Sequence, residues 1–240
     1  MFGSVVMLCA LLVAVTPILA KEPPTDAGEC SVDKQVEHNR DGSQLELRKR
    51  SCDGSDQMSA GVWFRAKPGA KARELLRYES ANRPGTWAAN LVDFDHDGWF
   101  DFRKGGECGA GPNCEGEIHR FDPKRRALYL MHAGGWAEVS FDGEYLVESG
   151  RASCCAWEYH VYRVLNRQRP VFGPRPDFII LAGSDFARDA DEERTRCRFS
   201  REVGGEYRTI APPAKRWLDY CSLYGDDYVV EPPDTAAAKP

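Results

Sequence analysis

The chain has 240 residues, of which 32 are Lys or Arg and 37 are Asp or Glu, for a formal charge of −5. That balance excludes a general nucleic-acid binder, which needs a basic face to neutralise phosphates. The length suffices for one large β domain or two small ones.

Residues 1–20, MFGSVVMLCALLVAVTPILA, carry no charged side chain and end on Ala20 before the polar Lys21-Glu22-Pro23-Pro24. This pattern predicts a cleaved signal peptide, although a basic n-region is missing. Cys9 follows Leu8 rather than a small residue, which argues against a lipobox. The expected location is periplasmic or secreted in a bacterium, with no membrane span after cleavage. Eight cysteines follow the leader: Cys30, Cys52, Cys108, Cys114, Cys154, Cys155, Cys197 and Cys221. An even set behind an export signal predicts up to four disulfides. Cys108 and Cys114 are spaced to close a short loop. The adjacent Cys154 and Cys155 are each expected to pair elsewhere, with Cys197 and Cys221 as candidates. The absence of any C-x-x-C pair and the scatter of the five His residues argue against zinc.

Residues 21–29, with two prolines, predict a flexible lead-in. Leu45–Arg48 alternates with period 2, and Val62-Trp63-Phe64 favours strand. Lys71–Tyr78 fits helix or strand equally. Further strands are expected at Glu117–Phe121, Ala127–Met131, Glu144–Glu148, Trp157–Leu165, Asp177–Leu181, Thr195–Phe199 and Glu206–Ile210. Turn signals such as Asp122-Pro123, Asp142-Gly143 and Gly204-Gly205 separate them. Asp185–Arg196 is expected to be a long exposed loop. The fold class is mainly β: a propeller-like or sandwich-like array of antiparallel hairpins, disulfide-bonded. We divide the chain into residues 21–86, an N-terminal β region; 87–230, a calcium-binding β-propeller-like domain; and 231–240, a disordered tail.

The sharpest local signal is D-x-D-x-D-G-x-x-D over residues 93–101. Calcium takes six to eight oxygens at about 2.3–2.6 Å. Asp93, Asp95 and Asp97 converge if the backbone curls around an ion, and Gly98 permits the sharp turn. The Trp99 carbonyl and Asp101 complete the expected ligand set. An EF-hand would place a bidentate Glu at loop position 12, where this chain has Lys104. The flanks also suggest strands, so the loop better matches those of integrin-type propeller repeats. Trp99, Phe100 and Phe102 are expected to anchor the hairpin in the core.

From about Asn90 to Phe172 the ordered motifs NLVDFDHDGWFDF, GPNC, RFDPKRRALYL, FDGEYLVESGR and YHVYRV resemble those of secreted calcium-binding immunity proteins of bacterial type IV secretion systems. The extra cysteines and the region after Phe172 depart from that pattern. The resemblance implies a propeller-like fold and inhibition of a lysozyme-like hydrolase. Periplasmic lysozyme inhibitors of this kind insert a Ser-Gly loop into the enzyme cleft. By the resemblance, Ser149 and Gly150 would enter the cleft, and Arg151 would pair with an acidic catalytic group. Tyr159 is a further contact candidate. The alternative is an envelope adhesion or scaffold protein that inhibits nothing. The sequence contains no G-x-S-x-G or H-E-x-x-H element, and the clustered carboxylates are explained by calcium, so an enzyme is not expected.

Overall fold

The computed structural model describes residues 29–55, 57–81, 89–109, 111–166, 172–184 and 194–234; the expected signal peptide lies outside them. Short period-2 segments form three sheets, antiparallel but for one short parallel pair. The first is a meander of β1 (Cys30–His38), β2 (Gln44–Cys52), β3 (Gln57–Arg65) and β4 (Arg73–Ala81). The second is a meander of β5 (Asn90–Val92), β6 (Asp101–Cys108), β7 (Cys114–Asp122) and β8 (Ala127–Trp136).

The third sheet runs through β9 (Glu138–Asp142), β10 (Tyr145–Arg151), β11 (Ala156–Arg163), β12 (Phe178–Gly183), β13 (Thr195–Val203) and β14 (Glu206–Ile210). β14 pairs only with Phe199–Val203, and β15 (Tyr228–Val230) runs parallel to β13 over Thr195–Cys197. A 3₁₀ helix, Lys215–Tyr224, connects β14 to β15.

Alternation within strands assigns side chains to the spaces between these layers. Leu45, Leu47, Val62 and Phe64 of the first sheet meet Leu91, Phe102 and Phe121 of the second. Ile118, Met131 and Trp136 of the second sheet meet Val139 and Leu146 of the third. On the far side of the third sheet, Val147, Tyr159, Val161, Phe178 and Ile180 pack on Trp217 and Cys221 of the 3₁₀ helix. Consecutive Leu146 and Val147 are therefore both buried, because the third sheet is covered on both faces. Helix and sheet are tied by Cys197–Cys221, while Cys30–Cys52 and Cys108–Cys114 join neighbouring strands.

Several expectations change. The mainly β class and disulfide bonding hold, but no closed barrel or propeller forms among the described residues. Lys71–Tyr78 resolves as strand from Arg73, since Leu75, Leu76 and Tyr78 pack on the first core. Buried residues on both sides of the 86/87 division belong to that core. Cys197 and Cys221 bond each other, leaving Cys154 and Cys155 outside the three disulfides. Of the expected 231–240 tail, residues 235–240 lie outside the described residues; within 231–234, Glu231 N–H donates to Cys197 O at 2.9 Å, and Thr209 N–H donates to the Asp234 carboxylate at 2.9 Å.

Candidate metal centre and neighbouring loops

The acidic loop joins β5 to β6 and rests on the β1–β2 turn. Arg40 N–H donates to Gly98 O at 2.9 Å, and Phe100 N–H donates to Asn39 Oδ1 at 2.9 Å. Gly98 adopts φ +83, which a glycine tolerates without strain, and His96 adopts φ 58. Asp93 curls the loop by accepting from Asp97 N–H at 3.0 Å and Gly98 N–H at 2.9 Å. Asp97 accepts from Trp99 N–H at 2.9 Å. The result brings oxygens of Asp93, Asp95 and Asp97 within 4.8 Å of one another.

Sequence reasoning missed Arg120. Its guanidinium enters from β7 and bonds Asp95 and, at 2.7 Å, Asp97. The cluster thus contains one built-in cation against four carboxylates. Asp101, only 1% exposed, accepts from Phe121 N–H at 2.9 Å through Oδ1. Burial pushes its carboxyl up to about 7, against the pull of the Phe121 N–H and Arg120. Burial also raises Asp95, with Arg120 acting in the opposite direction. Asp95 Oδ1 and Asp101 Oδ2 are buried and have no hydrogen-bond partner. Such orphaned oxygens are costly in a folded protein.

This donor set fits a hard divalent cation. Every donor is a carboxylate oxygen, and those already accepting an N–H keep a second lone pair. Asp93, Asp95 and Asp97 come together as expected. Asp101 lies close enough for the charges of Asp95 and Asp97 to raise it further. The Trp99 ring lies 5.4 Å from the Arg40 guanidinium and tilts against Phe121 at 5.8 Å.

The expected partner-binding residues are placed differently. Ser149, Gly150 and Arg151 belong to β10, opposite Tyr159, Glu158 and Trp157 of β11, and form no protruding loop. Ser149 is buried, and its hydroxyl donates to Glu138 O at 3.3 Å. Tyr159 is also buried, 4.9 Å edge-on to Tyr220, and burial raises its phenol to about 12. Neither side chain offers an exposed contact. Gly150 has a packing reason: a Cβ there would lie 3.1 Å from the Asn113 amide. Asn113 uses that space to clamp Arg151, donating to its carbonyl at 2.9 Å and accepting from its N–H at 2.7 Å. The exposed element is the turn after Arg151. Arg151 itself braces it, donating to Ser153 O at 2.9 Å and Cys154 O at 2.6 Å.

No protein-family model and no curated protein matches the chain. A solved Xanthomonas protein described as related to a type IV secretion system aligns with 75% of this chain and 93% of its own length. The TM-score is 0.45 and the identity is 16%.

Proposed function

We propose that the protein is an exported binding protein, stabilised by calcium, that inhibits a lysozyme-like peptidoglycan hydrolase by occluding its cleft. The observation that supports the calcium-held scaffold is the pair of buried, unpartnered oxygens, Asp95 Oδ1 and Asp101 Oδ2, beside the Asp93–Asp97 cluster. When bound, the ion supplies positive charge that Arg120 alone does not, and it performs no chemistry on a substrate. Three disulfides fit an oxidising compartment. Among the described residues, no helix is long and apolar enough to cross a membrane.

The choice of a hydrolase as target rests on the order of the sequence motifs, with the contact surface revised. Buried Ser149 and Tyr159 give way to the turn at residues 151–155 and the adjacent Cys108–Cys114 loop, which Asn113 clamps together. A braced turn loses less entropy on docking than a loose one.

Two measurements test it. Calorimetry on the chelator-treated protein should show calcium binding and a rise in melting temperature; neither would occur if Arg120 were the loop's sole cation. Cell-wall lysis by a panel of lysozyme-like hydrolases should be blocked for at least one member. Binding to a hydrolase without loss of lysis would favour the adhesion or scaffold reading.

A further inference from the structure

We propose that Cys154 and Cys155 are a redox site, a dithiol that closes to a disulfide between adjacent residues by exchange with an external disulfide. Among the described residues, the other six cysteines form three disulfides, and these two are thiols. They occupy the turn between β10 and β11, where Cys154 is exposed and Cys155 is half-buried.

The turn is shaped by contacts other than a sulfur bridge. Arg151 donates to the carbonyls of Ser153 and Cys154. Ala152 N–H donates to Ala156 O at 3.0 Å, and Ser184 N–H donates to Cys155 O at 3.1 Å. Cys155 N–H donates to Ser153 Oγ at 3.2 Å. Sulfur chemistry can therefore change while these contacts hold the turn. An exposed thiol beside a second thiol is the arrangement in which a mixed disulfide is resolved within the chain.

The reaction balances without any group beyond the oxidant. The Cys154 thiolate attacks a disulfide RSSR, an oxidised low-mass thiol or an exported protein disulfide, and expels one thiolate. The Cys155 thiolate then attacks the Cys154 sulfur and expels the second. RSSR is reduced to two RSH, which take the two cysteine protons, and the Cys154–Cys155 bond forms. The bond closes a small ring around a single peptide unit, whereas the three structural disulfides join residues 6, 22 and 24 positions apart, and its Cys154 sulfur is exposed to an attacking thiol, so it reopens more readily than they do. The inference does not depend on hydrolase inhibition.

Trypsin cleavage after Arg151 and Arg163 gives ASCCAWEYHVYR, in which Cys154 and Cys155 are the only cysteines. The full chain is equilibrated with oxidised glutathione, alkylated with iodoacetamide without reductant, digested and weighed. The expected peptide is unalkylated and lighter by two hydrogens than the dithiol. Mild dithiothreitol should restore two alkylation sites while the other six cysteines stay protected. A doubly alkylated peptide after glutathione, a stable glutathione adduct or a disulfide-linked dimer would overturn the proposal. Cys155→Ser should stop at the glutathione adduct on Cys154, and its thermal melt confirms that the variant is folded.

Discussion

The two seams between sheets are built on different principles. Between the first and second sheets lies a broad apolar core, from Leu45 to Phe121. Gln35 pairs with Leu91 there like a strand: its amide donates to the carbonyl at 2.8 Å and accepts from the N–H at 2.9 Å. Between the second and third sheets the apolar patch is smaller and ionisable groups lie among the aromatics. His132 Nε2 is 3.1 Å from Glu148 Oε2, with its ring against Trp136, Tyr162 and Phe172. Asn113 repeats the amide clamp, on the exposed strand end at Arg151. The first seam is thus held mainly by area. The second depends more on polar geometry, and it lies beside the proposed contact loops.

The largest effect should come from the apolar seam. Phe102 is fully buried and touches both the Tyr78 and His119 rings. Phe102→Ala should cost about 3–5 kcal/mol, the range for truncating a buried aromatic. Because both flanking sheets share this core, denaturant unfolding should lose its midpoint as one transition. A separate early transition of residues 29–81 would show that the seam does not couple them.

Next in size is Arg120, the internal counter-ion of the acidic loop. Arg120→Met leaves Asp95 and Asp97 without their guanidinium and should cost about 3–5 kcal/mol in chelator, as expected for breaking a buried ion pair. Added calcium should recover much of that loss. Equal losses with and without the metal would mean that the loop does not use the ion.

The sequence makes most strands legible because alternation matches burial. Leu45 and Leu47 face one core, and Trp157 and Tyr159 share a face opposite Tyr162. β1 escapes this reading because it is a polar edge strand with Val32 and Val36 exposed. The 3₁₀ helix carries Trp217 and Cys221 at i, i+4, and both contact the third sheet. The Asp loop is legible because its chemistry is local. Arg120 is not, because its role appears only when β7 lies beside the loop. Its sequence signal is faint, a second basic side chain beside His119 between Ile118 and Phe121. Ser149-Gly150 suggests a turn, yet Gly150 is small to admit the Asn113 amide.

The clamps separate the seams at smaller cost. Gln35→Ala exposes a part-buried N–H and carbonyl of Leu91 and should cost about 1–3 kcal/mol. Asn113→Ala frees groups that water reaches, so about 1 kcal/mol is expected. Hydrogen exchange should localise the second effect to Arg151 and the following turn. If Asn113→Ala proved the costlier change, the second seam would be the more tightly built.

The smallest effect, and the one that distinguishes the seams by kind, is the response to pH. Bordering the second seam, 6.5 Å from the Tyr162 ring, His160 Nε2 lies 3.3 Å from Glu158 Oε2. That hydrogen bond holds His160 above its usual 6.5 and Glu158 below its usual 4.5, with Glu148 adding to the first shift and Arg198 to the second. A raised histidine contributes fully below its unfolded value and loses its contribution as pH rises through the folded one. A lowered carboxyl contributes above its unfolded value and loses its contribution as pH falls through the folded one. The pair is therefore strongest between about 4.5 and 6.5. His160→Gln should show its deficit near pH ~5.5 and lose it by pH ~9. With both side chains about a third exposed, the deficit stays below about 1 kcal/mol. The Phe102→Ala deficit should stay constant across the same sweep, because removing a hydrocarbon ring changes no proton count. Parallel pH profiles for the two variants would remove the distinction between an apolar seam and a polar one.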